Sequence, residues 1–161
     1  MAVSVAELDR MPESRAAPLL SSCCGSTAWV TRMLQRRPFG TFEALATTSE
    51  IVWQELSPAD WMEAFSHHPR IGAGDAPGWS AEEQSGVSLA TDTVRADLAE
   101  INRQYEERFG YIYIVCATGK SAVELLALAR ARLANPPGVE LAIAAMEQQS
   151  ITRLRLEKLF R

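Results

Sequence analysis

Histidine is nearly missing from this chain of 161 residues: there are two. Cysteine is scarce as well, at three residues, and basic residues are outnumbered by acidic ones, 16 to 20. Each shortage excludes something. A formal charge of -4 and a pI near 5.3 leave no basic footprint for nucleic acid. No apolar run is long enough to cross a bilayer, so no membrane partner is expected. The first residues, MAVSVAELDRMPESR, lack the charged-then-apolar layout of a secretory signal, and the last, EKLFR, are not a peroxisomal address. Cys23, Cys24 and Cys116 are odd in number with two adjacent, a poor disulfide framework, and they read as reduced thiols of a cytoplasmic protein. Zinc held by Cys23, Cys24, His67 and His68 is disfavoured, because neither pair has the spacer of C-x2-C or H-x3-H. What remains is 47% hydrophobic and 22% charged, the profile of one globular domain over residues 1–161.

Helix signals dominate. Ser26 is placed to cap TAWVTRMLQRR, which Pro38 and Gly40 end, and Thr41 to cap FEALATTSEIVWQEL. Ser57-Pro58-Ala59-Asp60 combines a cap, a proline at the first helical position and an acid in the first turn. That helix runs toward Pro69, which sets His68 at or just past its end. RIGAGDAPGW, residues 70–79, is the clearest loop. Ser80-Ala81-Glu82-Glu83 matches a capping box and predicts a long helix to Phe109, with Gly86 a point of kinking and Gly110 the stop. YIYIVCA, residues 111–117, has strand propensity but no partner strand, and reads as a buried extended segment or a helix start. Helix is expected to resume from Thr118 to Asn135-Pro136, and a final helix covers VELAIAAMEQQSITRLRLEKLF. The pattern predicts a single-domain, all-α, multi-helix bundle.

Chemistry concentrates in SHHPRIG, residues 66–72, where both histidines abut the glycine-rich loop. Imidazoles at a helix end can simply satisfy carbonyls, but at a loop on a rigid scaffold they can also exchange protons near neutral pH. Glu83 can serve as a backbone cap or orient an imidazole. Ala117-Thr118-Gly119-Lys120-Ser121 is no phosphate loop, since Ile114 stands where that motif requires glycine.

CCGSTAWVTRM, SHHPRIG, EEQSGV, FGYIYIVCATGKSAVELL and EQQSITRLRLEKL, spread over nearly the whole chain in the family's order, resemble the 2-oxo-4-hydroxy-4-carboxy-5-ureidoimidazoline (OHCU) decarboxylases of urate breakdown. The resemblance implies an all-helical fold, no metal or organic cofactor, a homodimer, and conversion of OHCU to (S)-allantoin and carbon dioxide. It maps the general acid/base onto His68, directly before the proline, and its acidic partner onto Glu83, before a glutamine. It assigns substrate contacts to Pro69, Arg70, Ser80, Glu82 and Gln84, with Ile112, Tyr113, Ile114, Val115 and Cys116 as the opposite wall. His67 inherits no catalytic role. Thr118 departs from the pattern, since some relatives carry arginine there, and this leaves Arg70, Lys120 and Arg155 as cations for the substrate carboxylate. The absence of a peroxisomal tail implies a bacterial-type form. The alternatives are a non-catalytic helical binding module and a lyase acting on another small ureido acid.

Overall fold

The computed structural model describes residues 2–72 and 79–160, and for Trp79, Ser80, Ser88 and Leu89 the backbone alone. Among the described residues there is no strand, only an isolated parallel bridge between Val3 and Phe160. The helices are α1 (Val5–Arg10), α2 (Glu13–Cys23), α3 (Thr27–Gln35), α4 (Phe42–Gln54), α5 (Pro58–Ser66), α6 (Trp79–Glu83), α7 (Asp92–Phe109), α8 (Ala122–Leu133) and α9 (Pro137–Leu159). The chain is all-α, as its periodicity requires. Its contacts fall into two compact units, Met1–Ala64 with Gln149–Arg161, and Phe65–Gln148.

The caps lie where the sequence puts them. Ser26, Thr41 and Ser57 accept from the backbone N–H of Trp29, Ala44 and Asp60. The Asp60 carboxylate answers by accepting from the Ser57 N–H, a reciprocal box that satisfies two orphan donors. Gly110 takes φ of 81° at the end of α7, a left-handed cap that a side chain would strain. α1 and α2 escape the pattern reading, although Ser4 and Glu7 form a full capping box at the start of α1.

Three boundaries differ from expectation. The long helix over 80–109 is broken into α6, a 3-10 turn over Ser85–Leu89, and α7, which Thr91 caps separately by accepting from the Val94 N–H. The cause of the break is tertiary: Gly86 lies so close to the Lys120 carbonyl that a Cβ there would overlap it, and a straight helix cannot make that approach. α6 also begins at Trp79, so Ser80 is inside it rather than capping it, and its side chain lies outside the described residues. Helix does not resume at Thr118. Residues 118–119 form a turn closed by the Lys120 N–H on the Ala117 carbonyl, and Ser121 caps α8 through the Glu124 N–H.

The first unit buries Leu8, Leu20, Trp29, Met33, Leu45, Leu156 and Phe160. Cys23 and Cys24 are buried with them, and burial pushes both thiols up to about 12. That disfavours the thiolates a zinc site would need, and among the described residues no group of three or more His, Cys, Asp or Glu is arranged to hold a metal. The second unit has its own core, built from Ile71, Val87, Leu98, Ile101, Tyr105, Tyr113, Val115, Leu125 and Ala129.

Candidate active site

Residues 111–117 are neither helix nor strand, so their backbone polar groups need other partners. Arg132 of α8 supplies one. It is buried, donates through Nη1 to the Ile114 carbonyl at 2.7 Å, and pairs through Nε with Glu140 of α9 at 2.7 Å. Glu140 is wholly buried and also accepts from the Tyr105 hydroxyl and from Asn135 Nδ2. The guanidinium lies 4.9 Å over the Tyr113 ring, and the Tyr113 hydroxyl donates to the Leu125 carbonyl. Tyr113, Ile114 and Val115 face inward and are buried, whereas Ile112 and Cys116 are half-exposed. The sequence leaves this segment open between extended and helical; it is not helical and joins no strand, and three charged or polar side chains from α7, α8 and α9 hold the network around it.

The histidine turn is built differently. α5 ends at Ser66, and the His68 N–H closes a turn on the Phe65 carbonyl. Phe65 packs on Tyr111 with ring centroids 5.3 Å apart, and Tyr111 in turn meets Tyr105 and Phe109, so an aromatic cluster seats the helix end. Beyond it, four side chains take hold of four of the five residues from His68 to Gly72. Gln148 of α9 meets His68, with Oε1 2.6 Å from Nε2. Glu106 of α7 accepts two bonds from Arg70, at 2.9 and 2.8 Å. Asn102 of α7 donates to the Ile71 carbonyl at 2.8 Å. Gln84 accepts from the Gly72 N–H at 3.0 Å. Gly72 has φ of 79° and abuts Leu98 and Val87, which explains glycine at that position. His68 is half-buried, His67 exposed.

Glu83 ends α6 half-buried, and Glu82 beside it is exposed. Burial pushes the Cys116 thiol up, Lys120 opposes this, and the carboxylates of Glu147 and Glu83 push the same way as burial. Glu83 and Glu147 therefore both act on Cys116. Glu147 also lies 3.9 Å from Arg132, and its neighbour is Gln148. α9 thus presents two consecutive residues, one to the Arg132 network and one to the histidine turn.

Of the predicted site residues, the structure gathers His68, Pro69, Arg70 and Gln84 on the turn or against it, and Glu83 and Cys116 within electrostatic reach of each other. Of the three cations proposed for the carboxylate, Arg70 is paired to Glu106. Lys120 donates to the Cys116 carbonyl at 2.8 Å, and Arg155 acts on Cys23 and Cys24 in the other unit. Gln148, Glu106, Asn102 and Arg132 are absent from the sequence expectations. Gln148 sits within the EQQSITRLRLEKL stretch, but nothing local marks it, because its partner is 80 residues away.

A family model described as OHCU decarboxylase matches residues 9–157. The uric acid degradation bifunctional protein TTL of Arabidopsis thaliana is 39% identical over 146 residues, 86% of this chain and 45% of that protein. The 2-oxo-4-hydroxy-4-carboxy-5-ureidoimidazoline decarboxylase of Amia calva is 34% identical over 86 residues, 53% of this chain and 49% of that one. A solved structure of OHCU decarboxylase in the presence of (S)-allantoin superposes with a TM-score of 0.79 at 35% identity, covering 92% of this chain and 97% of that chain. Fold and sequence together define the class, an all-helical domain of the decarboxylase type. More narrowly, the chain belongs to the OHCU decarboxylase family. It spans about half the length, or less, of those two curated relatives.

Proposed function

We propose that this chain decarboxylates OHCU to (S)-allantoin and carbon dioxide as a step of urate breakdown. The observation that carries the reading is His68, half-buried at the end of α5 with one ring nitrogen fixed by a buried amide, in a chain of this family.

The substrate's own chemistry explains how the step runs without a metal or organic cofactor. The carboxylate leaves C4, which adjoins the ring C5=N bond. As the C4–carboxylate bond breaks, its electron pair forms C4=C5, and the C=N pair moves to the ring nitrogen, which takes a proton. An imine in the substrate is thus the electron sink that a cofactor supplies elsewhere. The enol left at C4 then loses its O–H proton, and C5 takes one from a single face. The net balance is one proton consumed and one carbon dioxide released. His68 is the general acid/base for the C4 hydroxyl. Glu83 is its acidic partner, holding a substrate N–H and, once the ring is protonated, the imidazolium. Pro69, Arg70, Ser80, Glu82 and Gln84 line one side, and Ile112 to Cys116 the other. The family model runs through both compact units, which supports reading the chain as one domain.

A cytoplasmic homodimer is the form we propose. Among the described residues no helix is long and apolar enough to cross a membrane. The test is to generate OHCU in place from urate, with uricase and hydroxyisourate hydrolase, and compare its disappearance with and without this protein. Faster loss with stoichiometric release of carbon dioxide is the expected result. Loss at the unassisted rate would overturn the reading and favour a non-catalytic helical module.

A further inference from the structure

We propose that Gln148 is a positioning residue that fixes the tautomer of His68, so that the catalytic proton is exchanged at Nδ1. The inference rests on the reading of His68 as the acid/base. Gln148 is wholly buried on α9, and its Oε1 lies 2.6 Å from His68 Nε2. A carboxamide oxygen can only accept, so the imidazole nitrogen facing it carries the hydrogen. Neutral His68 is then the Nε2–H tautomer, and a proton that arrives or departs does so at Nδ1. Gln148 also holds the ring plane, since a short bond to a buried partner leaves little freedom about the second side-chain torsion.

The choice of an amide has a consequence. A carboxylate in the same place would favour the imidazolium and raise its pKa. A neutral acceptor orients the ring without that bias, which suits a group that must both take and return a proton near neutral pH. Among the described residues, charged or titratable groups on the turn or beside the side chains that hold it include His67, Arg70 with Glu106 of α7, Glu83 beside Gln84, and Glu147 beside Gln148. None of them changes in a Gln148 variant.

The test uses the full chain labelled with ¹⁵N. With two histidines in the sequence, a His67→Gln background leaves one ring to observe. The ring nitrogen spectrum above the imidazole titration should show Nε2 protonated and Nδ1 bare. Gln148→Leu should lose that preference and lower kcat by about 10–100-fold with KM little changed. Gln148→Glu keeps the acceptor and the shape. It should move the ring titration, and the pH–rate limb with it, to higher pH. A wild-type ring protonated on Nδ1, or a Gln148→Glu titration unmoved from wild type, would overturn the inference. If Gln148→Leu fails to fold, the wild-type spectrum and Gln148→Glu still decide. The spectra need no substrate, so failure of the OHCU reading is seen separately: the expected tautomer in a protein that leaves OHCU untouched.

Discussion

Residues 67–72 and residues 111–117 both lack regular secondary structure, and both carry residues assigned to the site, yet they are held in opposite ways. The segment 111–117 is locked from within. Tyr113, Ile114 and Val115 are buried, and a buried ion pair, Arg132 with Glu140, serves its backbone. The histidine turn is held by side chains instead: four polar groups, two of them buried, each grip one residue and leave the imidazole half-exposed. A wall must not move, and burial makes it costly to disturb. In the proposed reading His68 must be aimed while staying accessible, and a hydrogen bond from buried Gln148 can aim a ring that is itself half-exposed. Support and chemistry should therefore separate under mutation, one appearing in the unfolding midpoint and the other in turnover.

The largest separation is expected at His68. His68→Ala should lower turnover by about 10²–10⁴-fold and leave the denaturation midpoint close to wild type. Arg132→Leu should do the reverse in kind. It strands Glu140 in the core without its cation, a loss of about 3–5 kcal/mol measurable by denaturant unfolding. Replacing the pair together with apolar residues should recover most of that loss. If Arg132→Leu left stability intact, the segment 111–117 would not depend on the network.

Alkaline pH probes the same wall. Burial raises the Tyr113 hydroxyl above its usual value, with Arg132 opposing and Glu147 and Glu140 reinforcing. A group whose folded pKa is raised contributes stability that is complete below its unfolded pKa, near 10, and is lost as pH climbs from there toward the folded value. Tyr113→Phe should flatten the fall of stability above pH ~10 by at most about 1.4 kcal/mol per pH unit. Cys23 and Cys24, raised to about 12, add their own slope from near pH 9, so the difference between wild type and Tyr113→Phe is the quantity to read. Equal slopes would show that the hydroxyl is not held neutral by the fold.

The smallest effect belongs to the turn. Arg70 is exposed and its pair with Glu106 is solvent-screened, so Arg70→Ala should cost no more than about 1 kcal/mol of stability. Its kinetic consequence is sharper. A rise in KM for OHCU would assign the guanidinium to the substrate carboxylate, whereas unchanged KM would leave Arg70 as a brace of the turn.

Much of this could be read in the sequence, and the rest was hidden for a definite reason. Ser26, Thr41, Ser57-Pro58 and Gly110 mark helix ends because capping is local chemistry, settled within four residues. The break between α6 and α7 is not local: it follows from Gly86 meeting the Lys120 carbonyl, 34 residues on. Arg132, Glu140 and Tyr105 each read as ordinary helix residues, and only folding brings them to one buried point. His68 could be singled out by its rarity and its proline. Gln148 could not, since a glutamine on a helix announces nothing until its partner is known.

One measurement bears most directly on the account: circular dichroism of the allantoin formed from enzymatically generated OHCU, with wild type and folded His68→Ala in parallel. Rapid growth of a single-enantiomer signal with wild type, absent with the variant, is the predicted result. Slow racemic product with both, or equal single-enantiomer growth with both, would contradict it.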